Sequence, residues 1–406
     1  MFEIEGANAT ATVMADWSHI SDETISQIHM LVSHPAIQND FVVQADGHKA
    51  SGAVVGFTMP LGTRIAPTLI GFDISCGMRA FKLTDLPMEN AEREAAVRDS
   101  VPTGRGMHTS SDAPSIQEFP WDKANKLYRQ FSRAYEEKFG SPVSPSFEFT
   151  EYDEDYVTAL CDRIGLSEHK ISKAAGTLGS SNHFIEFGQS AKTDEYWCTV
   201  HSGSRHLGKA VGRHHVDRAH RLREGDDNRG NTSLDWLEAD EAHNYFIDMI
   251  FCHMYANWNR QVMADRICDA LNATELDAIE APHNYIDFRD MTVRKGAVAA
   301  RSGEKLVVPL NMADGIFICE GKGSDAHLQT APHGAGRVKS RSEAKDTVDI
   351  DDFEDAVSDV YTEAVGQGLL SESPQAYKSS AYIRDELEST ARIVDHLRPV
   401  HNLKGN

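Results

Sequence analysis

Apolar residues recur along this chain at two spacings, and the alternation between them predicts its elements. Ile20, Ile25, Ile28 and Leu31 share one face of a helix that Ser21-Asp22 can start and that Pro35 follows. Phe41 to Gln44 and Ala53 to Pro60 read as strands. Residues 86–172 are mostly helical in pattern, with helices expected at Asn90 to Arg98, Trp121 to Phe139 and Tyr156 to Leu166. Period-two alternation returns in Asn182 to Phe187 and in Tyr196 to Val200. A helix from Ala210 to Arg223 precedes an acidic loop, Glu224 to Ser233. A long helical stretch from Trp236 to Leu271 then carries Phe246, Ile247, Ile250, Met254 and Trp258 as a continuous apolar stripe, and its length predicts a break or bend. Strands are expected just after His283, at Leu306 to Pro309 and at Ile316 to Cys319. Closing helices are expected at Asp351 to Val365 and Pro374 to Val394, with Gly366 and Gly368 between them. Strands alternate irregularly with long helices, and no GxGxxG or Walker loop occurs. The expected class is therefore α+β, with mixed sheets flanked by helices in one large domain spanning residues 1–406.

Composition narrows the class of function. Hydrophobic residues make up 40% of the 406 positions and charged residues 25%, which is ordinary for a globular chain. No segment approaches the ~18 consecutive apolar residues of a membrane helix, and the opening M-F-E-I-E-G has no basic flank or apolar signal core. The chain reads as cytosolic, with no membrane partner. A net charge of −22 argues against nonspecific coating of nucleic acid, but leaves room for a local cationic cluster that engages a few phosphates. The six cysteines (76, 161, 198, 252, 268 and 319) form no close pairs, so neither a disulfide framework nor a CxxC zinc knuckle is signalled.

The unusual chemistry sits where strands meet small-residue turns. Gly176, Gly179, Ser180 and Ser181 lead into Asn182-His183, and Tyr196 to Val200 delivers His201 into Ser202-Gly203-Ser204-Arg205. Imidazoles on rigid strand ends beside glycines, with a planar guanidinium nearby, suit a metal that binds phosphate. Among nineteen histidines a chance pair is also expected, and it is Arg205 that tips the balance toward a site. Asp73 and Cys76 bracket another turn, where a capping aspartate with a packed thiol is an equally good reading. His283 is a third histidine before a strand, whereas His243 and His253 read as passengers on the long helix. Finally, His333-Gly334-Ala335-Gly336-Arg337 with Lys339 and Arg341 presents a histidine among glycines and cations. That is the setting required of an imidazole that becomes covalently phosphorylated or nucleotidylated, the plainer reading being a basic loop with a chance histidine.

Taken in order, D-G-H (Asp46 to His48), G-F-D-I-S-C-G-M (Gly71 to Met78), G-T-L-G-S-S-N-H-F-I-E (Gly176 to Glu186), H-S-G-S-R (His201 to Arg205), H-N-Y (His283 to Tyr285), R-K-G-A (Arg294 to Ala297) and H-G-A-G-R with its trailing S-R (His333 to Arg341) form an ordered set. This set resembles the RtcB family of GTP-dependent RNA ligases from about Phe41 to Lys404. The resemblance implies that Asp73, Cys76, His183, His201 and His283 bind two manganese ions, with Cys76 bridging, and that His333 is guanylylated by GTP. It implies that Asn182, Glu186, Asn311, Gly334, Ala335 and Gly336 line the guanosine nucleotide and that Lys404 reaches the guanine. Arg205, Arg337 and Arg341 would serve phosphates or RNA, with Asp46 supporting near the nucleotide. The implied partners are RNA ends bearing a 3′-phosphate or 2′,3′-cyclic phosphate and a 5′-hydroxyl, with an accessory activating protein as a further one.

This chain departs from the family pattern where P-G-S-M-G is usual and Pro309-Leu310-Asn311-Met312-Ala313 stands instead. It also departs at Gln44-Ala45 before Asp46, at His206 and at Lys339. The altered loop changes backbone freedom and donors, which points to a divergent paralogue whose expected role is RNA repair, on a particular broken RNA, or tRNA splicing. Two other classes remain in view: a dinuclear metal-dependent phosphoesterase, and a non-ligating protein that binds RNA ends. A nucleophilic histidine among cations favours the ligase.

Overall fold

The computed structural model describes residues 1–180, 182–363 and 365–405. Ser181 of the predicted turn, Ala364 of the predicted helix and Asn406 of the tail lie outside the described residues. Two large sheets, two two-stranded ribbons and a helical layer make up the architecture of the described residues, and the α+β expectation holds. The first sheet has six strands in the order Phe2–Glu5, Thr10–Val13, Phe41–His48, Val55–Pro60, Thr292–Lys295 and Asn284–Asp287. It is mixed, because Thr10–Val13 runs parallel to Phe41–His48 while the other pairs are antiparallel. The second sheet is antiparallel throughout, in the order Glu275–Pro282, Gly77–Leu83, Tyr196–Ser202, Phe184–Ser190, Ala391–Lys404, Ile316–Gly321 and Lys305–Pro309.

The helix Asp22–Val32 starts where expected, its first turn capped by Ser21, which accepts a hydrogen bond from Thr24 N–H. Trp121–Phe139 matches its predicted bounds and ends at Gly140, whose φ of 72° closes the last turn. The stretch expected to break is one unbroken helix, Ala239–Leu271, of 33 residues. The chain supplies neither proline nor glycine within it, so nothing interrupts the hydrogen-bond ladder. Most of its surface is buried, because helices pack on one side and the second sheet on the other.

The closing helices are corrected more heavily. The first is short, Ile350–Ala356, and the second is Ser380–Leu387, capped by Ser379. From Ala391 onward the chain becomes a 14-residue strand in the middle of the second sheet. Its apolar positions serve two packing partners, so they do not alternate cleanly enough to read as a strand from the sequence. Leu397 is 1% exposed and stands opposite both Ile316 and Ser190. Leu397→Ala is expected to lower the unfolding free energy by about 2–5 kcal/mol in urea titration. A solvated terminal tail would lose almost nothing.

Candidate active site

Antiparallel pairing brings four strand ends to one edge of the second sheet. Gly77 faces both Ser202 and Pro282, and His201 faces both Met78 and Phe184. Cys76, His201, His183 and His283 each flank or end one of these strands, so the sheet delivers all four side chains to the same place. Cys76 Sγ lies 3.1 Å from His201 Nε2 and 3.5 Å from His183 Nε2. His183 Nε2 is 2.9 Å from Asp73 Oδ2, and His201 Nε2 is 3.3 Å from His283 Nε2. A continuous chain of donor atoms therefore runs Asp73, His183, Cys76, His201, His283.

The outer nitrogens of two of the rings are already engaged. His183 Nδ1 is 2.8 Å from the Leu178 carbonyl, and His201 Nδ1 is 3.1 Å from that of Asn182. A carbonyl only accepts, so both rings carry the proton on Nδ1 and present an Nε2 lone pair to the Cys76 sulfur. Burial and the neighbouring imidazoles hold His201 and His283 well below the usual histidine range, which favours their neutral, ligating form. Burial alone would raise Asp73, but the adjacent His183, with Cys76 and Arg205, pulls it to about 2. Burial and the Asp73 charge push the Cys76 thiol up. Converging lone pairs with a buried thiol and an ionised carboxylate form a donor set that fits a borderline divalent metal. Gly203 is required here, since a Cβ on it would overlap the Asp73 carboxylate.

His333 continues the line, its ring centroid 4.7 Å from that of His283. Its Nδ1 is 2.7 Å from Asp46 Oδ2, which also accepts its backbone N–H at 3.0 Å. A buried carboxylate thus fixes the ring and accepts from Nδ1, which leaves the Nε2 lone pair facing away from Asp46. Gly336, at φ 68°, lets the following loop cross Asp46 so closely that a Cβ would overlap the Asp46 backbone. A cavity of about 1040 Å³ opens in front of His333 and takes in Asp73, Cys76, Glu186, His201, His283 and Lys404 in its wall. At its far end the strand register sets Glu186 opposite Asn402 and Phe184 opposite Lys404. Asn402 donates to Glu186 Oε2 at 2.7 Å. Among the described residues, Glu186 Oε1 and Asn402 Oδ1 have no hydrogen-bond partner although both are buried. Two free acceptors beside a buried ammonium suit a flat polar ring that offers donors and an acceptor together.

The family model described as tRNA-splicing ligase RtcB matches residues 27–405. The chain belongs to the RtcB family. Its relatives include the RNA-splicing ligase RtcB of Escherichia coli K12, 27% identical over 397 residues that cover 91% of each chain. The tRNA-splicing ligase RtcB of Aeropyrum pernix is 26% identical, covering 95% of this chain and 92% of its own. That of Methanococcus maripaludis is 24% identical, covering 96% and 93%.

Within this RtcB site the remaining predicted residues fall into different settings. Asn182, Gly334, Ala335, Gly336 and Arg341 line the cavity, with Arg341 half-exposed above Glu372. Arg337 also lines it, but its guanidinium is held by Tyr377 Oη, the Ser371 carbonyl and the Lys339 carbonyl, so it braces the wall. Asn311 spends its side chain on its own turn, accepting from Ala313 and Asp314 N–H and donating to the Asp314 carboxylate. Arg205 donates to Thr177 Oγ1 at 3.0 Å beside Asp73 and outside the cavity wall. The sequence reading overlooked Asn259, Arg260, His253, Glu372, Tyr377, Lys378 and Asn402. Asn259 and Arg260 carried no signal beyond two polar residues inside an apolar stripe. His253, read as a passenger, lies 2.6 Å from Ser75 Oγ behind the Cys76 loop.

Burial raises Glu186 from 4.5 to about 7 against the opposing pull of Asn402 and Lys404. A carboxyl whose folded pKa is raised contributes stability that is complete below about pH 4.5 and is lost as pH climbs to about 7. The difference in unfolding free energy between the wild type and Glu186→Gln should fall as pH rises across this window, by about 3 kcal/mol at most, because the histidine contributions cancel in it. The Glu186→Gln protein should lack that component, and an identical slope in the two proteins would show that Glu186 is ionised throughout.

Proposed function

We propose that this chain is a GTP-dependent RNA ligase that joins a 3′-phosphate or 2′,3′-cyclic phosphate end to a 5′-hydroxyl end. The observation that carries the reading is His333, oriented by Asp46 at 2.7 Å and placed at the end of the Asp73–His183–Cys76–His201–His283 donor chain. His333 Nε2 attacks the α-phosphorus of GTP, the bond to the β-phosphate oxygen breaks, and pyrophosphate leaves. Asp46 stabilises the positive charge that develops on the imidazole. GMP then passes from His333 to the RNA 3′-phosphate, after any cyclic phosphate has been opened. The 5′-hydroxyl finally displaces GMP, which is a far better leaving group than oxide.

Asp73, Cys76, His183, His201 and His283 are the residues to hold two manganese ions, which would neutralise phosphate charge and orient the reacting phosphorus. Glu186, Asn402 and Lys404 form the purine end of the site, where guanine offers N–H donors to Glu186 and its O6 to Lys404. With Asn311 committed to its own turn, the nucleotide there meets the loop through backbone groups and Leu310.

Protein incubated with manganese and GTP labelled at the α-phosphate should acquire acid-labile label that survives denaturing gel electrophoresis. His333→Ala should acquire none, and Asp46→Asn at least tenfold less per unit time, in keeping with about 10²–10⁴-fold effects of positioned acid–base groups. Label from GTP on the His333→Ala protein would eliminate this histidine as nucleophile. RNA cleavage with no label on either protein would point to the phosphoesterase.

A further inference from the structure

The donor chain has two ends, and only one of them is at His333. At the other, the Asp73 side chain is 39% exposed, so the donor chain reaches solvent at this end of the cavity wall as well. Phe72 stands at that opening with 42% of its surface exposed, one of the few large apolar side chains left in solvent. The ring is braced from behind. Gly212 of the helix Arg205–Arg223 lies so close that a Cβ there would stand 3.1 Å from Phe72 Cδ1. The ring thus rests one edge on the Gly212 backbone and leaves a face in solvent beside Asp73.

Cations surround the same opening. His206, in the first turn of that helix, is held below the usual histidine range first by burial and then by Lys170, Arg205 and Lys209 around it. Lys209 and Arg213 are exposed and one turn apart on a single ridge, adjoining the Gly208–Gly212 face against which residues 72–74 pack. Among the described residues, no carboxylate lies within ion-pair distance of Lys170, Lys209 or Arg213. Glu168, the acid nearest in sequence to Lys170, is engaged by Thr158 instead. In a chain of net charge −22, such a group of uncompensated cations beside an exposed ring is distinctive.

We infer that this lip is the docking surface for single-stranded RNA. One base stacks on Phe72, and the flanking phosphates lie along Lys170, Lys209 and Arg213 with Arg205 innermost, beside Asp73. The assignment rests on the reading of the chain as an RNA ligase, and it adds a direction: nucleotide arrives from the His333 side and an RNA end from the Asp73 side. A base stacked on an aromatic ring with cations on its phosphates is the usual chemistry for single strands, and it is tolerant of sequence.

The test is fluorescence anisotropy with a short labelled RNA oligonucleotide, without GTP, run beside the α-labelled GTP assay. Lys209→Glu combined with Arg213→Glu should weaken RNA binding at least about tenfold and make its salt dependence shallower, while GTP labelling stays at the wild-type level. Phe72→Ala should weaken binding between about 5- and 150-fold, Phe72→Leu should not restore it, and Phe72→Tyr should. Circular dichroism and melting of each variant identify any loss that comes from misfolding, and the exposed Lys209/Arg213 pair keeps the test alive if Phe72→Ala proves unstable. Unchanged RNA affinity in the double charge variant would overturn the surface, as would wild-type protein that labels with GTP but ignores this oligonucleotide. RNA binding through the lip in a protein that never labels would preserve the surface and defeat the ligase reading.

Discussion

A guanidinium with no exposed surface, that of Arg260, donates to the Ser75 carbonyl at 3.0 Å and to the Ser202 carbonyl at 2.8 Å, and it pairs with Glu280 at 2.9 Å. Ser75 precedes Cys76, and Ser202 follows His201. One buried cation on the long helix therefore ties together the two loops that carry the central sulfur and the central imidazole. Asn259 beside it donates to Ser202 Oγ and the Gly203 carbonyl and accepts from Thr177 N–H, which brings in the loop that leads to His183. Without these bonds the carbonyls would be buried unpaired, at a cost of about 1–3 kcal/mol each. The geometry of the donor chain is thus a property of the helix–sheet contact.

Electrostatics follow from that placement. The cluster holds a carboxylate, a buried thiol and three buried imidazoles, two of which are held in the neutral form. Lone pairs that converge without a cation repel one another, so the arrangement makes physical sense as a metal receptor. Asp46 acts differently. It sits behind His333, buried, with Oδ2 shared between the ring and backbone N–H groups, and so it serves orientation. The overall acidity of the chain coexists with local cations: Arg341 and Lys404 in the cavity wall, and Lys209 and Arg213 exposed on the helix that packs against Phe72.

Much of this was legible in the sequence because the ligands flank glycine-rich turns at strand ends, a pattern local in the chain. His183, His201 and His283 each announced a strand junction, and all three are found there. The resemblance supplied Lys404, but the strand that positions it gives no strand signal: the expected helix runs only to Val394, the chain end reads as a tail, and Ala391 to Lys404 packs two ways without clean alternation. The supporting polar residues were illegible for a different reason. Arg260, Asn259 and His253 owe their roles to loops nearly 60 to 185 positions away, and Asn402 to a strand 216 positions away. No local spacing encodes such partners. The uninterrupted helix Ala239–Leu271 shows the opposite case, since length alone suggested a break and the lack of proline and glycine correctly argues against one.

The central claim is that the Cys76 sulfur and the three imidazoles bind metal as one unit next to His333. X-ray absorption at the manganese edge on the loaded protein tests it most directly, because sulfur scatters distinguishably from nitrogen and oxygen. The account predicts a first shell of light atoms together with sulfur, and loss of the sulfur contribution in Cys76→Ser. A shell without sulfur that the Cys76→Ser substitution leaves unchanged would contradict it.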